Sequence, residues 1–106
     1  MANNFSDAQV TISNNSLTDI VTASNKSLVI AGTMSNTTTS SINVTLKKYD
    51  ASATSTFTIL STIPLPSGSS LELPKIVLQT SDKIQAQSDN SSGHLTVALQ
   101  MLTDVS

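Results

Sequence analysis

The stretch at residues 41–48, SINVTLKK, decides the fold class of this chain. Its apolar residues Ile42, Val44 and Leu46 stand at every second position, and polar residues stand between them. A period of two places these three side chains on one face of a β-strand and the polar residues on the other. Antiparallel sheets commonly bury one face and leave the other in water, so the stretch predicts a strand of an antiparallel sheet.

The same alternation recurs along the rest of the chain. In residues 94–102, HLTVALQML, the side chains of Leu95, Val97 and Leu99 share one face. Turn signals separate such segments at intervals of roughly 8–12 residues, which is typical of sandwiches and small barrels. The sequence therefore predicts an all-β fold, an antiparallel β-sandwich of about eight strands that is jelly-roll-like or Ig-like. Counting gives eight or nine predicted strands, near residues 8–12, 17–23, 27–35, 41–49, 54–63, 69–73, 75–79, 83–88 and 94–103.

Prolines punctuate the segment at residues 63–88. Pro64 and Pro66 have no N–H to donate to a sheet and end one strand, while Pro74 separates two short strands. The short turn around Asp82 predicts a hairpin between the strands near 75–79 and 83–88. The alternation also predicts the inward-facing core residues, which are Leu28, Ile30, Ile42, Val44, Leu46, Phe57, Ile59, Ile76, Leu78, Ile84, Leu95, Val97 and Leu99.

Composition excludes several classes of function. Charged residues make up 11% of the chain, apolar residues 38%, and the formal net charge is −2. Abundant β-branched residues at low net charge favour a folded domain over a disordered chain. The basic residues are five scattered lysines, which predicts no nucleic-acid partner. No apolar run reaches the roughly 18 residues of a membrane span, so no membrane partner is predicted.

The N-terminal residues are polar and differ from the segments that follow. MANNFSDAQV lacks the basic start and the apolar core of a signal peptide. We predict a polar N-terminal arm at residues 1–7 and a single β-sandwich domain at residues 8–106. Phe5 is the candidate contact with a partner protein, because its large apolar side chain lies in this polar arm.

Residues that carry chemistry are sparse. The chain has no Cys, one His (His94) and seven acidic residues, and nearly all the acids lie near predicted strand ends, where Asp favours turns. Two carboxylates could still converge as a glycosidase pair, but the three aromatic residues offer little platform for a sugar. The loop around Asp89 lacks the spacing of a calcium loop. We therefore predict no enzyme activity, no cofactor and no metal site.

The second half of the chain resembles small virion proteins of tailed bacteriophages, especially phages of cyanobacteria and marine bacteria. The resemblance rests on VTLK at residues 44–47, IPLPSGSSLEL at 63–73 and KIVLQTSDKIQAQ at 75–87. It also includes the segment from Asn25 to Ile30 and the final strand from His94 to Leu102. Ser81 stands where that group often has Gly. The matched patterns span residues 17–103 and describe strands and turns.

This resemblance implies a structural role in the virion. We expect a decoration or cement protein on the exterior of the phage particle, bound to the major capsid protein or another virion structural protein. We also expect a homo-oligomer, with a trimer as the first expectation by analogy with shell-coating proteins. The alternatives are a neck, tail or fibre accessory protein, or a glycan-binding adsorption module.

Overall fold

The computed structural model describes residues 4–90 and 94–104. These residues contain nine β-strands joined by loops and no helix. The strands form two antiparallel sheets. Sheet A has the order β1-β9-β3-β6, with β7 also paired to β3, and sheet B has the order β2-β8-β4-β5. The predicted antiparallel β-sandwich is confirmed. The strands are β1 (Asn4–Ile12), β2 (Thr18–Thr22), β3 (Ser27–Asn36), β4 (Ile42–Asp50), β5 (Ser55–Leu65), β6 (Ser70–Glu72), β7 (Ile76–Leu78), β8 (Lys83–Ser88) and β9 (Leu95–Thr103).

The strand pairing is that of a jelly roll. Strand β4 pairs with β5, β3 with β6 and β7, β2 with β8, and β1 with β9. Strands β6 and β7 act as one strand that Pro74 interrupts, since proline cannot donate to the ladder. Pairs therefore nest from the middle of the chain to its two ends, which is how a jelly roll is wound. Of the two predicted topologies, the structure has the jelly-roll one.

The core lies between the two sheets and follows the predicted alternation on most strands. Val44, Leu46 and Val97 are fully buried, and each buried aliphatic side chain of this size contributes about 1.5–3 kcal/mol. Ile59 is partly buried against this core. The other buried residues that the sequence predicts are Ile42, Ile76, Leu78, Ile84, Leu95 and Leu99.

The prediction that Leu28 and Ile30 face the core is wrong. The register between β3 and β9 shifts between Val29 and Ala31, which marks a β-bulge. A bulge adds one residue to a strand and so exchanges the two faces beyond it. Val29 and Met34 are therefore the buried residues, with no exposed surface, and Leu28 and Ile30 are only half-buried.

Phe57 is not a core residue either, because its side chain is 53% exposed. It lies opposite Lys48 in the register of β4 and β5. In the sheet order, β5 is the edge strand of sheet B and β4 is its neighbour. The ring is therefore covered by a neighbouring strand from one side only, although its strand was correctly predicted.

The predicted hairpin around Asp82 is replaced by a crossing between the sheets, because β7 belongs to sheet A and β8 to sheet B. The Asp82 side chain is buried at this crossing. Its Oδ1 accepts the N–H of Ala51 at 2.9 Å, and its Oδ2 accepts the N–H of Gln79 at 3.0 Å. The ammonium of Lys48 lies 3.6 Å from Oδ2. One carboxylate therefore connects two loops and strand β4.

Asn36 has the same role at the other end of the sandwich. Its side chain is buried, and Nδ2 donates to the carbonyl oxygens of Ser40 at 2.8 Å and Leu65 at 2.9 Å. Its Oδ1 accepts the N–H of Thr38 at 2.9 Å. Because every polar atom of this buried amide has a partner, the amide joins the ends of β3 and β5 without leaving a polar group unsatisfied.

The predicted arm at residues 1–7 is wrong for its second half. Residues 1–3 lie outside the described part of the chain, but residues 4–7 belong to β1 and lie opposite residues 100–103 of β9. Polar composition did not prevent this pairing, since the hydrogen bonds of a sheet are made by the backbone. Phe5 therefore occupies a fixed position on a strand.

Candidate partner-binding face

An apolar row crosses the outer face of sheet A, the face turned away from sheet B. Phe5 of β1 lies opposite Leu102 of β9, Leu102 lies opposite Leu28 of β3, and Leu28 lies opposite Val77 of β7. Residues directly opposite each other on antiparallel strands share one face of the sheet. We call these four residues the outer apolar row.

The two ends of the outer apolar row are the most exposed. Phe5 is 81% exposed and Val77 is 50% exposed, while Leu28 and Leu102 between them are half-buried. Large apolar side chains that meet on a surface mark sites where another molecule binds. Covering a ring such as that of Phe5 would contribute about 1.5–3 kcal/mol to association.

The outer face becomes polar beyond this row. Asp7 lies opposite Gln100, and Gln100 lies opposite Ala31. A groove of about 480 Å³ opens beside them, where Pro74 interrupts the edge of the sheet. Small side chains, among them Ala31, leave room for the groove, and Glu72 and Lys75 line its side. The face therefore combines an apolar row with a shallow groove that carries both signs of charge.

The outer face of sheet B is polar. The ammonium of Lys83 lies 3.2 Å from Asp19 Oδ2, and Gln85 Nε2 donates to Asp19 Oδ1 at 2.7 Å. The Gln85 hydrogen bond is the main reason why the pKa of Asp19 lies below its ordinary value; desolvation opposes it, and Lys83 adds to it. These charged and polar groups have partners within the sheet, so this face gives less reason to expect a protein partner than the outer apolar row does.

A second groove, of about 350 Å³, lies at one end of sheet B. Its lining includes the amides of Asn15, Asn43 and Gln87 and the carboxylate of Asp89. Asp89 Oδ1 and Oδ2 accept the backbone N–H and the Nδ2 of Asn43, each at 2.9 Å. Amides and a carboxylate suit a hydroxyl-rich ligand, but Tyr49 does not line this groove, so no aromatic ring of the sequence faces such a ligand there.

The acidic residues mostly have structural partners. Asp82 and Asp89 hold loops as described, and Asp19 bonds Gln85. Asp50 Oδ1 accepts the hydroxyl of Ser52 at 2.8 Å, which is the main reason why the pKa of Asp50 lies below its ordinary value; the N–H groups of Ala53 and Ser52 add to it. Within residues 4–90 and 94–104, no group of three His, Cys, Asp or Glu is placed to hold a metal ion. The same residues contain no helix long and apolar enough to cross a membrane.

Sequence reasoning found one member of the outer apolar row and missed three. Phe5 was predicted as a partner contact, and the structure places it at the exposed end of the row; the contact itself stays a prediction. Leu28 was assigned to the core, and Leu102 and Val77 were not singled out. The signal for them was present as consecutive apolar residues, since a strand with apolar side chains on both faces cannot bury both when only one faces another sheet.

The comparisons by sequence found no relative. No family model matches the chain, and no curated protein matches it. Solved structures are similar in fold. A chain of the acid-stable capsid of Helicobacter pylori bacteriophage KHP30 superposes with a TM-score of 0.70 at 10% identity, covering 98% of this chain and 92% of that one.

Two further structures share the fold. A chain of the capsid of cyanophage Pam1 has a TM-score of 0.56 at 13% identity and covers 95% of this chain and 86% of that one. A protein of Bacillus endospore appendages, described as disulfide-linked pili, has a TM-score of 0.60 at 16% identity and covers 100% of this chain and 93% of that one. At such identities the likeness shows the fold, and this chain has no Cys for a disulfide link.

Proposed function

We propose that this protein is a structural component of a tailed-phage virion, and specifically a decoration or cement protein that binds the outside of the major capsid shell. The observation that carries the proposal is the outer apolar row, with Phe5 81% exposed at its end. The fold that presents this row is also the fold of chains in two phage capsid structures. Among the described residues, Phe5 is the most exposed of the large apolar side chains.

The outer apolar row would attach the protein by burial of apolar surface. The net charge is −2, and Asp7 and Lys75, each two residues along the chain from a member of the row, are of opposite sign. Attachment therefore depends little on ionic strength, because screening weakens only interactions between charges. A protein that binds the assembled shell, and not its separated subunits, shifts the equilibrium toward the shell. Such a protein raises the temperature at which heads break open.

The proposal includes that the protein acts as a homo-oligomer. The similar chains come from capsids and pili, which are assemblies of many subunits. A trimer is the state expected by analogy with shell-coating proteins, and that expectation rests on analogy alone. Sedimentation of the free protein tests it.

The test uses the two phenylalanines of the chain as a matched pair. Phe5 belongs to the outer apolar row, whereas Phe57 is 53% exposed on the edge strand of sheet B. Particles that lack the protein are mixed with the wild type, Phe5→Ser or Phe57→Ser, and binding and the temperature of head opening are measured. We expect Phe5→Ser to bind at least tenfold more weakly, which corresponds to the about 1.5–3 kcal/mol of one buried ring. Phe57→Ser should bind like the wild type.

Two results would reject the cement role. If heads without the protein open at the same temperature as complete heads, while tail assembly or adsorption is lost, the protein belongs to the neck, tail or fibres. If both Phe variants bind like the wild type, the outer apolar row is not the contact. Circular dichroism of each variant shows whether the sandwich is intact, so that loss of fold is not mistaken for loss of contact.

A glycan-binding adsorption module is the second candidate. The groove lined by Asn15, Asn43, Gln87 and Asp89 supports it, because amides and carboxylates can bond sugar hydroxyls. A glycan array with the wild type and Gln87→Ala distinguishes this candidate. Binding to a glycan that Gln87→Ala abolishes would favour adsorption over a cement role.

A further inference from the structure

Within residues 4–90 and 94–104, strand β1 pairs with another strand along one edge and with none along the other. It stands at the end of sheet A and pairs with β9 without any shift from Asn4 opposite Thr103 to Ile12 opposite Leu95. Along a strand, backbone N–H and C=O groups point alternately to the two sides. About half of the backbone groups of β1 therefore point away from β9, along an edge of nine residues.

The other edges of the two sheets are protected against pairing. Strand β2 has five residues and a register shift between Asp19 and Val21. Strand β5 shifts register twice against β4 and contains Pro64. Strands β6 and β7 have three residues each and are separated at Pro74. Short strands, bulges and prolines are how proteins keep a sheet edge from pairing with another chain.

Strand β1 has none of these protections. Its sequence, NFSDAQVTI, contains no Pro and no Lys, Asp7 is its charged residue, and its register is regular throughout. A long regular edge of this kind is a template for another strand. We infer that β1 pairs with β1 of a second copy of this chain, in antiparallel register centred on Ala8, so that two copies of sheet A form one continuous sheet.

The sequence of β1 fits this register when it is paired with itself. Centring on Ala8 pairs all nine residues of the strand and puts Asp7 opposite Gln9 of the second copy, and Phe5 opposite Thr11. Within one copy Gln9 Nε2 already donates to Asp7 Oδ2 at 3.0 Å, so the two side chains are a suitable donor and acceptor. Centring on Asp7 would place two carboxylates directly opposite each other, which destabilises a sheet.

The size of the contact suits a reversible dimer. A strand of nine residues is about 30 Å long, and stacked sheets lie about 10 Å apart, so pairing along one sheet edge covers roughly 300 Å² per copy. The total of roughly 600 Å² lies below the about 1,000 Å² of a stable specific interface, so the dimer should be weak and should dissociate on dilution. The contact has two-fold symmetry, so the free protein should form dimers, in contrast to the trimer that analogy suggests.

The test exploits the sign of the charge at position 9. Gln9 is exposed in the single copy, so its replacement leaves the sandwich intact. In the paired strands, position 9 of each copy lies opposite Asp7 of the other copy. Gln9→Lys therefore creates two pairs of opposite charge, and Gln9→Asp creates two pairs of like charge. We expect Gln9→Lys to lower the dimer dissociation constant, and Gln9→Asp to raise it, by about three- to tenfold each. The double variant Asp7→Lys with Gln9→Asp should restore dimerisation.

Analytical ultracentrifugation over a concentration series measures these constants on the free protein, without particles, so its outcome is independent of the head-stability test. Amide hydrogen exchange of β1 at low and high protein concentration supplies a second readout, because pairing between copies protects the N–H groups that point away from β9. A monomer at all concentrations overturns the inference. So does an oligomer whose β1 amides gain no protection, or one that responds to Gln9→Lys and Gln9→Asp in the same direction.

Discussion

The buried carboxylate of Asp82 should contribute more to stability than any other acidic side chain described in the structure. Its two oxygens accept the N–H groups of Ala51 and Gln79 at 2.9 and 3.0 Å, and Lys48 lies 3.6 Å away. Asp82→Ala removes the acceptor from both N–H groups and the anion from beside Lys48. Each donor left unsatisfied in a buried site costs about 1–3 kcal/mol.

Both N–H groups are only partly buried, so water can reach them in part and the lower half of that range applies. We expect Asp82→Ala to lower the free energy of unfolding by about 2–4 kcal/mol. In a domain of this size that corresponds to a fall of about 10–25 °C in melting temperature. Asp82→Asn keeps one acceptor oxygen and should lose an intermediate amount.

Asp89 supplies the matched control, because it also accepts two N–H bonds, both from Asn43 at 2.9 Å, but it is exposed. Water replaces those bonds in Asp89→Ala, so its loss should stay within about 1 kcal/mol. Thermal unfolding followed by circular dichroism measures both variants. Equal losses for Asp82→Ala and Asp89→Ala would refute the reasoning, since burial would then make no difference.

Three further predictions concern the core, a close strand approach and one surface carboxylate. Val97→Asp buries an unpaired charge and should prevent stable folding, whereas Thr96→Asp should lower the melting temperature by only a few degrees, which thermal scans of both will show. Gly32→Ala would bring a Cβ within 2.9–3.0 Å of atoms of β9, so we expect a loss of about 1–3 kcal/mol in denaturant titration. Folding lowers the pKa of Asp19, mainly through the hydrogen bond from Gln85. The ionised carboxylate therefore stabilises the fold at pH values above its ordinary pKa, and this contribution is lost as the pH falls through the lower pKa of the folded state. In NMR titration, Gln85→Ala should raise the pKa of Asp19; an unchanged pKa would contradict this assignment.

The strands were predictable because alternation is a local property. The spacing of residues 42, 44 and 46 within one segment is enough to predict that they share a face, and all three are buried in the structure. The bulge of β3 was not predictable, because five consecutive residues without a charged or strongly polar side chain, LVIAG at 28–32, fit either face. Only pairing with β9, more than sixty residues later in the chain, determines that Val29 is buried and Leu28 is not.

The candidate site depends even more on long-range pairing. Phe5 could be singled out from sequence as a large apolar side chain in a polar segment, but its neighbours in the outer apolar row come from positions 28, 77 and 102. Their spacing along the chain does not indicate that these four residues are neighbours, because they become neighbours only through the pairing of β1 with β9, β9 with β3, and β3 with β7. The sheet crossing at Asp82 shows the same limit, since a short turn suits a hairpin and a crossing equally well.

Strand β1 takes part in both proposed contacts, but with different groups. The outer apolar row uses the side chain of Phe5, which stands on the face of sheet A, whereas pairing between copies uses the backbone groups along the edge. Pairing centred on Ala8 places Phe5 opposite Thr11 of the second copy on the same face, so both phenylalanines of a dimer still face outward. If both proposals hold, a dimer would present two apolar rows to one shell, and the second row would bind at the high effective concentration set by the first. It follows that Gln9→Asp, which leaves Phe5 in place, should weaken shell attachment only to the level of a single row, whereas Phe5→Ser should weaken it in both the monomer and the dimer.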